Sequence, residues 1–408
     1  MKVCIVTTMF PKYKDDYYGS FVYDDAKELV KKGIEVHVVT QHNAGIPYDE
    51  LMEGIHVHRF RWLEPKKFRA LIHFKGIKDN FRLMSYVISN FFTLISVVKK
   101  YKINIIHAHH AIPSGFISVL VSKIFGIPIF ITTHGMDITT HDIDEGPLKN
   151  VKNFEEHSIF KRLISYSLNN SDKIIAVSGD LADRIRSFGV KEENITILRN
   201  AVDITRFKPI ENFKLRKKFG FDKEDILILF VGHLEVFKGL FELIYAFKNV
   251  KEENKFIKLI IIGDGSQKEE AKRIVNNFGL EGSVYFIGKV PPKKIHNYYQ
   301  LSDIFVLPSY TDAGGPPVVF IEAMACGLPV IGTNVGGIPE GITEGENGFI
   351  VCPKDFSDLA KKLQILVNNK NLRRKFGNVS VQIITKKSWN IENKMSKLIR
   401  VYKNFLSD

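Results

Sequence analysis

Residues 304–332 read Ile304-Phe305-Val306-Leu307-Pro308-Ser309-Tyr310-Thr311-Asp312-Ala313-Gly314-Gly315-Pro316-Pro317-Val318-Val319-Phe320-Ile321-Glu322-Ala323-Met324-Ala325-Cys326-Gly327-Leu328-Pro329-Val330-Ile331-Gly332. Four consecutive apolar residues, Ile304–Leu307, have the length and β-branched character of a buried strand. A loop rich in glycine and proline follows. A helix is predicted over Pro317–Cys326, because proline suits a first helical position, where its missing N–H would be unpaired. Gly327 then breaks the helix, and Pro329–Gly332 reads as a second strand. A strand, a helix and a strand in that order form a parallel pair with a helical crossover.

The same unit recurs in both directions along the chain. In the second half, strands are predicted at Asp225–Val231, Lys258–Ile262, Ser283–Phe286 and Gly348–Val351, with helices at Gly239–Val250, Lys268–Phe278 and Pro292–Leu301. In the first half, strands are predicted at Lys2–Thr8, Glu35–Thr40, Ile103–His107, Pro128–Thr133, Lys173–Ser178 and Ile195–Leu198. Helices there fall at Ser20–Lys32, Met84–Tyr101, Pro113–Phe125 and Phe160–Asn169. Alternation of this kind predicts an α/β protein of two doubly wound, Rossmann-like domains facing a cleft, with ligands outside the carboxyl ends of the strands. The expected boundaries are 1–198 and 199–380, hinged near Arg199–Asn212. The remaining 381–408 form a helix crossing back toward the N-terminal domain, with Ile391, Met395, Leu398, Ile399 and Tyr402 at helical spacing.

Composition narrows the function classes. The 408 residues carry 58 Lys and Arg against 45 Asp and Glu, a net charge of +13, and 45% are apolar. These are globular values, so a disordered, collagenous or coiled-coil architecture is excluded. Three cysteines without CxxC spacing argue against a disulfide framework or a structural zinc site. The N-terminus enters a strand-like run with no signal-peptide layout. The apolar stretch Leu83–Val98 is interrupted by Ser85, Ser89, Asn90, Thr93 and Ser96 and is shorter than the ~20 residues a span needs. A cytoplasmic protein is expected, peripheral at most to the inner membrane face. No G-x-G-x-x-G follows the first strand, and no P-loop or H-E-x-x-H motif occurs, which lowers dehydrogenase, ATPase and zinc-protease readings. One D-x-D triplet, Asp142–Asp144, is of the kind that holds a metal–diphosphate, and a chain this long yields one by chance.

Four strand-end blocks carry chemistry. Gly314, Gly315 and Val318 bring backbone N–H groups to a helix N-terminus, with Pro316 and Pro317, which have none, between them, a setting that favours an anion. Glu322, in the second turn of that helix, is placed to bond ribose hydroxyls, although a tight turn with a solvated glutamate fits the block alone. In Val231-Gly232-His233…Lys238-Gly239, His233 and Lys238 precede a helix. That placement is unfavourable for Lys238 unless an anion lies between them, and a solvated loop lysine fits nearly as well. His134, in Thr133-His134-Gly135, presents a ring nitrogen or its carbonyl to a substrate, or is a buried structural histidine. Gly19 and Ser20 start the first helix, where backbone can approach a phosphate, or form a plain capped turn. His107, His109 and His110 are poorly spaced for one metal.

Taken together, these blocks resemble the retaining nucleotide-sugar glycosyltransferases of the GT-B fold, family 4. The resemblance spans nearly the whole chain, and its most specific run is Glu322–Val330 followed by Gly336-Gly337-Ile338-Pro339-Glu340. It implies an acceptor-binding N-terminal domain, a donor-binding C-terminal domain and no cofactor or obligatory metal. Glu322 is implied on the ribose, Lys238 on the diphosphate, His134 on the donor sugar, and Ile287 and Gly288, within Ile287–Val290, by the base. Retention follows from same-face departure, the leaving phosphate taking the acceptor proton. Two positions depart from the family pattern: His233 stands for its usual arginine, and Gly314 for the first glutamate of its E-x7-E pair. Either Asp312 substitutes, or backbone N–H groups of Gly314–Val318 read the sugar.

The expected partners are a nucleotide-sugar donor and a glycan or lipid-linked acceptor, with no nucleic acid. Residues 59–82, which mix Arg59, Arg61, Lys66, Lys67, Arg69, Lys75, Lys78 and Arg82 with Phe60, Trp62, Phe68, Phe74 and Phe81, suit an anionic membrane surface or a solvated face. The rival readings are a nucleotide-sugar epimerase of the same fold and a non-catalytic sugar-nucleotide-binding protein.

Overall fold

The structure is a computed structural model that describes residues 1–407 apart from 15, 65–76, 136, 139–157, 211–212 and 313. Among the described residues the chain forms two compact units. One comprises the chain up to Leu198 together with the residues from Met395 onward, and the other is Arg199–Lys394.

The first unit contains β1 (Lys2–Val6), β2 (Glu35–Gln41), β3 (Asp49–Met52), β4 (Ile55–Phe60), β5 (Ile105–His109), β6 (Ile129–Thr133), β7 (Lys173–Ala176) and β8 (Ile195–Ile197). They form one sheet in the order β3-β4-β2-β1-β5-β6-β7-β8, parallel except where β3 meets β4. Val3, Cys4, Ile5 and Val6 of β1 are all buried, the unbroken apolar run expected of a strand covered on both faces. Cys4, Val6, Ile106 and Ile131 share a core with Leu94 and Val97 of the Ile77–Tyr101 helix and Ile117 of the Phe116–Phe125 helix.

The second unit contains β9 (Ile226–Val231), β10 (Ile257–Ile262), β11 (Val284–Gly288), β12 (Ile304–Leu307), β13 (Val330–Thr333) and β14 (Gly348–Val351). This sheet is fully parallel, in the order β11-β10-β9-β12-β13-β14. The order reverses at β9, whose neighbours are β10 and β12, so the loops leaving those two strands diverge and open a crevice at their carboxyl ends.

The α/β expectation stands, with differences of detail. The β3–β4 hairpin escapes a reading by composition because its turn is Glu53-Gly54. Both residues take positive φ, 49° and 87°, as a two-residue primed turn requires. Lys14 and Lys27 both pair with Glu53. Strand β5 begins two residues later than predicted. The helix predicted from Met84 starts at Ile77, and its Asn80–Tyr101 portion is long and apolar enough by length and composition to cross a membrane, longer than the stretch read from sequence. At the C-terminus, two helices, Lys370–Lys386 and Ile391–Ser407, replace the single helix predicted over 381–408. Ser388 at φ 54° breaks the run, and Asn390 caps the next helix by accepting a hydrogen bond from Asn393 N–H at 2.8 Å.

Candidate functional site

Two loops meet where the second sheet reverses. The first runs from β9 through His233 and Lys238 to the Leu240–Glu253 helix, and the second from β12 through Asp312 to the Val318–Ala325 helix. Tyr310 N–H donates to Phe237 O at 2.8 Å. Gly239 takes φ +68°, and a Cβ there would lie 2.0 Å from Pro308 O, so only glycine allows this approach. Across the junction Lys238 Nζ pairs with Asp312 Oδ2 at 3.0 Å, both side chains mostly buried.

A third loop braces the second from below. Thr333 Oγ1 donates to Ser309 O at 2.6 Å. Gly336, at φ +51°, passes so close that a Cβ would lie 1.8 Å from Asp312 O, and one on Gly337 would lie 2.4 Å from the Gly315 carbonyl carbon. Asn200 Nδ2 donates to Pro316 O at 3.2 Å. Gly314, Gly315 and Pro316 are thereby buried in one fixed path, leading to a helix that starts at Val318, one residue later than predicted, with Pro317 at the cap position and no side-chain cap. The first N–H groups of such a helix lack intrahelical partners, so they and the dipole favour an anion.

Glu322 lies on the same helix. Its Oε2 accepts from the hydroxyl of fully buried Tyr299 at 2.8 Å. Burial, and then the neighbouring Glu322, raise the Tyr299 pKa well above its ordinary value, so the phenol stays a donor and orients the carboxylate. His233 is exposed on the first loop, yet the protein around it withholds enough water to lower its pKa. Lys238 and Lys289 add to that lowering, so the ring is neutral at pH 7. The loops after β9 and β10 are stitched together, Leu234 N–H donating to Asp264 O at 3.1 Å. Ile287 and Gly288 end β11, and Gly263 N–H donates to Gly288 O at 3.0 Å.

In the first unit His134 follows β6. Its Nε2 lies 2.9 Å from Nδ1 of buried His109, with the two rings stacked, and Phe21 packs at 4.9 Å between centroids. Asp137 ties this corner together. One carboxylate oxygen accepts from the N–H groups of His134 (3.1 Å) and Gly135 (3.0 Å), the other from Ala111 N–H after β5 (2.7 Å). Gly19 precedes the Ser20–Lys31 helix at φ +71°, where a Cβ would lie 2.4 Å from Met9 O. Gly19 is therefore obligatory in this turn and itself occupies the cap position, with Ser20 the first helical residue.

The structure thus brings Lys238, Asp312, Gly314–Val318 and Glu322 to one end of the second sheet, with His233, Ile287 and Gly288 on the loops and strand end beside it. Gly19, Ser20 and His134 belong to the first unit. Sequence reasoning gave no role to Tyr299, Asp137, Phe21 or His109. Only Asp137 had a local signal, an aspartate two residues after a glycine at a strand end. His107 is engaged by Thr132 Oγ1 at 2.7 Å and by the Tyr402 hydroxyl. Among the described residues no group of three His, Cys, Asp or Glu side chains is disposed to hold a metal ion. The Asp142–Asp144 triplet and residues 65–76, half of the basic 59–82 stretch, lie outside the described residues.

Two α/β units, the second with a glycine-rich loop, a helix start without a side-chain cap and a half-buried glutamate oriented by Tyr299 at its switch point, have the architecture of a two-domain transferase. Family models agree: residues 19–206 match Glycosyltransferase Family 4, and residues 211–381 match Glycosyl transferases group 1. The chain belongs to the family 4, group 1 glycosyltransferases of GT-B fold and is a glycosyltransferase in the EC 2.4 class. N-acetyl-alpha-D-glucosaminyl L-malate synthase of Bacillus anthracis is 26% identical over 92% of this chain and 91% of its own length. D-inositol 3-phosphate glycosyltransferase of Rhodococcus jostii is 24% identical, over 85% and 76%. In fold, the chain is similar to sucrose-phosphate synthase of Thermosynechococcus elongatus, with TM-score 0.81 and 19% identity over the full length of both. HepE of Anabaena, solved in complex with UDP, gives TM-score 0.75 at 16% identity, covering 99% of this chain and all of that one.

Proposed function

We propose that this glycosyltransferase moves a hexose-type sugar from a nucleoside diphosphate to a glycan or lipid-linked acceptor, with retention and without a metal. The observation that carries the reading is the switch-point arrangement of the second unit: a mostly buried lysine on the loop after β9 opposite a helix start without a side-chain cap, the helix bearing Glu322 in its second turn. Lys238 and the first amides of that helix supply positive potential to a departing diphosphate, the charge that a metal would otherwise provide. Glu322, held by Tyr299, accepts from the ribose hydroxyls. Ile287 and Gly288 flank the base. On the same reading His134 serves the donor sugar, and the Gly19–Ser20 helix start serves its phosphate.

The complexes of the Anabaena neighbour with UDP and with UDP-glucose support a uridine donor. The position of the family's first glutamate is Gly314, and Asp312 is already engaged by Lys238, which favours sugar recognition by the backbone N–H groups within Gly314–Val318, those of the two glycines and Val318. Cytoplasmic action is part of the same proposal.

The test is direct. A panel of nucleoside-diphosphate sugars is screened by thermal shift, since a bound ligand raises apparent stability by mass action. The stabilising donor is then incubated with acceptors in chelator, and the anomeric configuration of the product is read by NMR. A product of retained configuration formed in chelator is expected. Inversion, loss of turnover in chelator, or conversion of the sugar nucleotide without acceptor would each overturn part of the reading, the last in favour of epimerisation.

A further inference from the structure

The helix Ile77–Tyr101 carries, among its described side chains, a row of exposed apolar residues opposite its buried face. Tyr86, Asn90, Leu94, Val97 and Val98 are buried, four of them within the core around Cys4, Val6 and Phe60. On the other side Phe81, Met84, Ile88 and Phe92 are 58, 53, 49 and 63% exposed. Steps of three, four and four residues keep these side chains on one stripe, about 16 Å long at 1.5 Å per residue. Leu63, 57% exposed, is held beside it by its N–H donating to Ser85 Oγ at 3.1 Å. Large apolar residues exposed singly need no explanation, but a contiguous row of them marks an interaction surface.

Charge identifies the partner. Lys99 and Lys100 are exposed at the C-terminal end of the stripe, and Arg61 is exposed next to Leu63 at the other end. The helix carries a single acid, Asp79, flanked by Lys78 and Arg82 in sequence, and none from Asn80 to Tyr101; Glu64, the nearest acid beside Leu63, is engaged with Asn43 and the N–H of Ala44. The chain as a whole carries +13. A second copy would meet this surface with the same cations, whereas an anionic bilayer offers apolar depth and opposite charge together.

We propose that the Phe81–Phe92 stripe docks the protein on an anionic lipid bilayer, the helix lying along the interface with its other face still packed on the sheet. Apolar insertion and a few flanking cations are each weak membrane signals, and together they suffice for reversible attachment. Although the Asn80–Tyr101 portion is long enough to span, crossing would strip Leu94, Val97 and Val98 out of the core. The inference goes beyond the reaction and holds whether or not the acceptor is a lipid.

The test is flotation of the full chain with phosphatidylglycerol-containing and with pure phosphatidylcholine vesicles, for the wild type and an I88E/F92E variant. Both substituted side chains are exposed, so the variant is expected to keep its Tm and its nucleotide binding. Wild type is expected to bind the anionic vesicles, less so at high salt, and I88E/F92E to partition about tenfold or more weakly. Failure of the wild type to bind, undiminished binding by the variant, or equal binding to neutral vesicles would overturn the proposal. So would a concentration-dependent dimer that the same substitutions abolish, which would assign the stripe to a second copy.

Discussion

Lys238 Nζ sits 3.0 Å from Asp312 Oδ2, joining residues 74 apart across the point where the second sheet reverses. Both side chains are mostly buried, so the pair is shielded from the screening that makes surface ion pairs weak. On the proposed reading, a diphosphate arriving at Lys238 has to compete with this carboxylate.

Asp312→Asn removes the competitor. Nucleoside-diphosphate affinity measured by calorimetry is expected to rise, while stability to urea falls by about 1–3 kcal/mol because the buried ammonium loses its partner. Lys238→Ala has the reverse signature, weakening the diphosphate far more than the bare nucleoside. Equal losses for both ligands would remove Lys238 from the phosphate site.

Glu322→Ala should lower transfer by about 2–4 kcal/mol in kcat/KM, the worth of a pair of charged hydrogen bonds to a ribose. Tyr299→Phe deletes only the hydroxyl that steadies Glu322 at 2.8 Å. A smaller loss of nucleotide affinity and about 1 kcal/mol of stability are expected from it. A wild-type rate for the glutamate variant would exclude the ribose role.

Glycine pairs separate strain from crowding. Gly336 and Gly345 both take positive φ, 51° and 73°, but a Cβ on Gly336 meets Asp312 O at 1.8 Å, and one on Gly345 meets nothing within 4 Å. Gly345→Ala should cost about 1–2 kcal/mol, the backbone penalty alone. Gly336→Ala must also displace the Asp312 loop, so it should cost more in chemical denaturation and weaken nucleotide binding, which Gly345→Ala leaves intact.

Asp137→Ala releases three backbone N–H groups at 2.7–3.1 Å and unpins the loop that presents His134. A stability loss of about 2–4 kcal/mol is expected, from charged hydrogen bonds of about 1.5–3 kcal/mol each with partial compensation by water. Turnover should fall more than nucleotide affinity, which on the proposed reading rests mainly on the second unit.

Acid should weaken the first unit. His37 and His58 are buried side by side, His37 Nδ1 3.1 Å from His58 Nε2, between Glu35 and Asp49. Desolvation lowers both pKa values and outweighs the carboxylates, which pull the other way; His56 adds to the lowering at both rings, as does Lys100 at His58. The folded state therefore takes up these protons less readily than the unfolded chain. This contribution is fully present above the unfolded value of about 6.5 and is lost as pH falls below it toward the folded values. Urea melts at about pH 7.5 and about pH 5 should show lower stability at the acid end, and NMR titration midpoints of both rings should fall below about 6.5. Midpoints above that value would contradict the desolvation account.

Most strands, most helix starts and the strand-end placement of Lys238, Glu322 and His134 were legible in the amino-acid order. Apolar runs, proline at a first helical turn and glycine after a strand act within a few residues of themselves. The Glu53-Gly54 hairpin and the split of the C-terminal helices at Ser388 were not legible, because a positive φ at Glu53 or Ser388 is imposed by surroundings rather than by the residue type. Tertiary structure alone decided that Asp312 holds Lys238, that Tyr299 backs Glu322, that Gly336 lies under Asp312 and that Asp137 clamps Ala111 to His134. Each depends on which strands are neighbours, and in a doubly wound sheet β9 sits beside β12 only after the chain has crossed over through β10 and β11. Periodicity names the elements, and the packing of their buried faces chooses the neighbours.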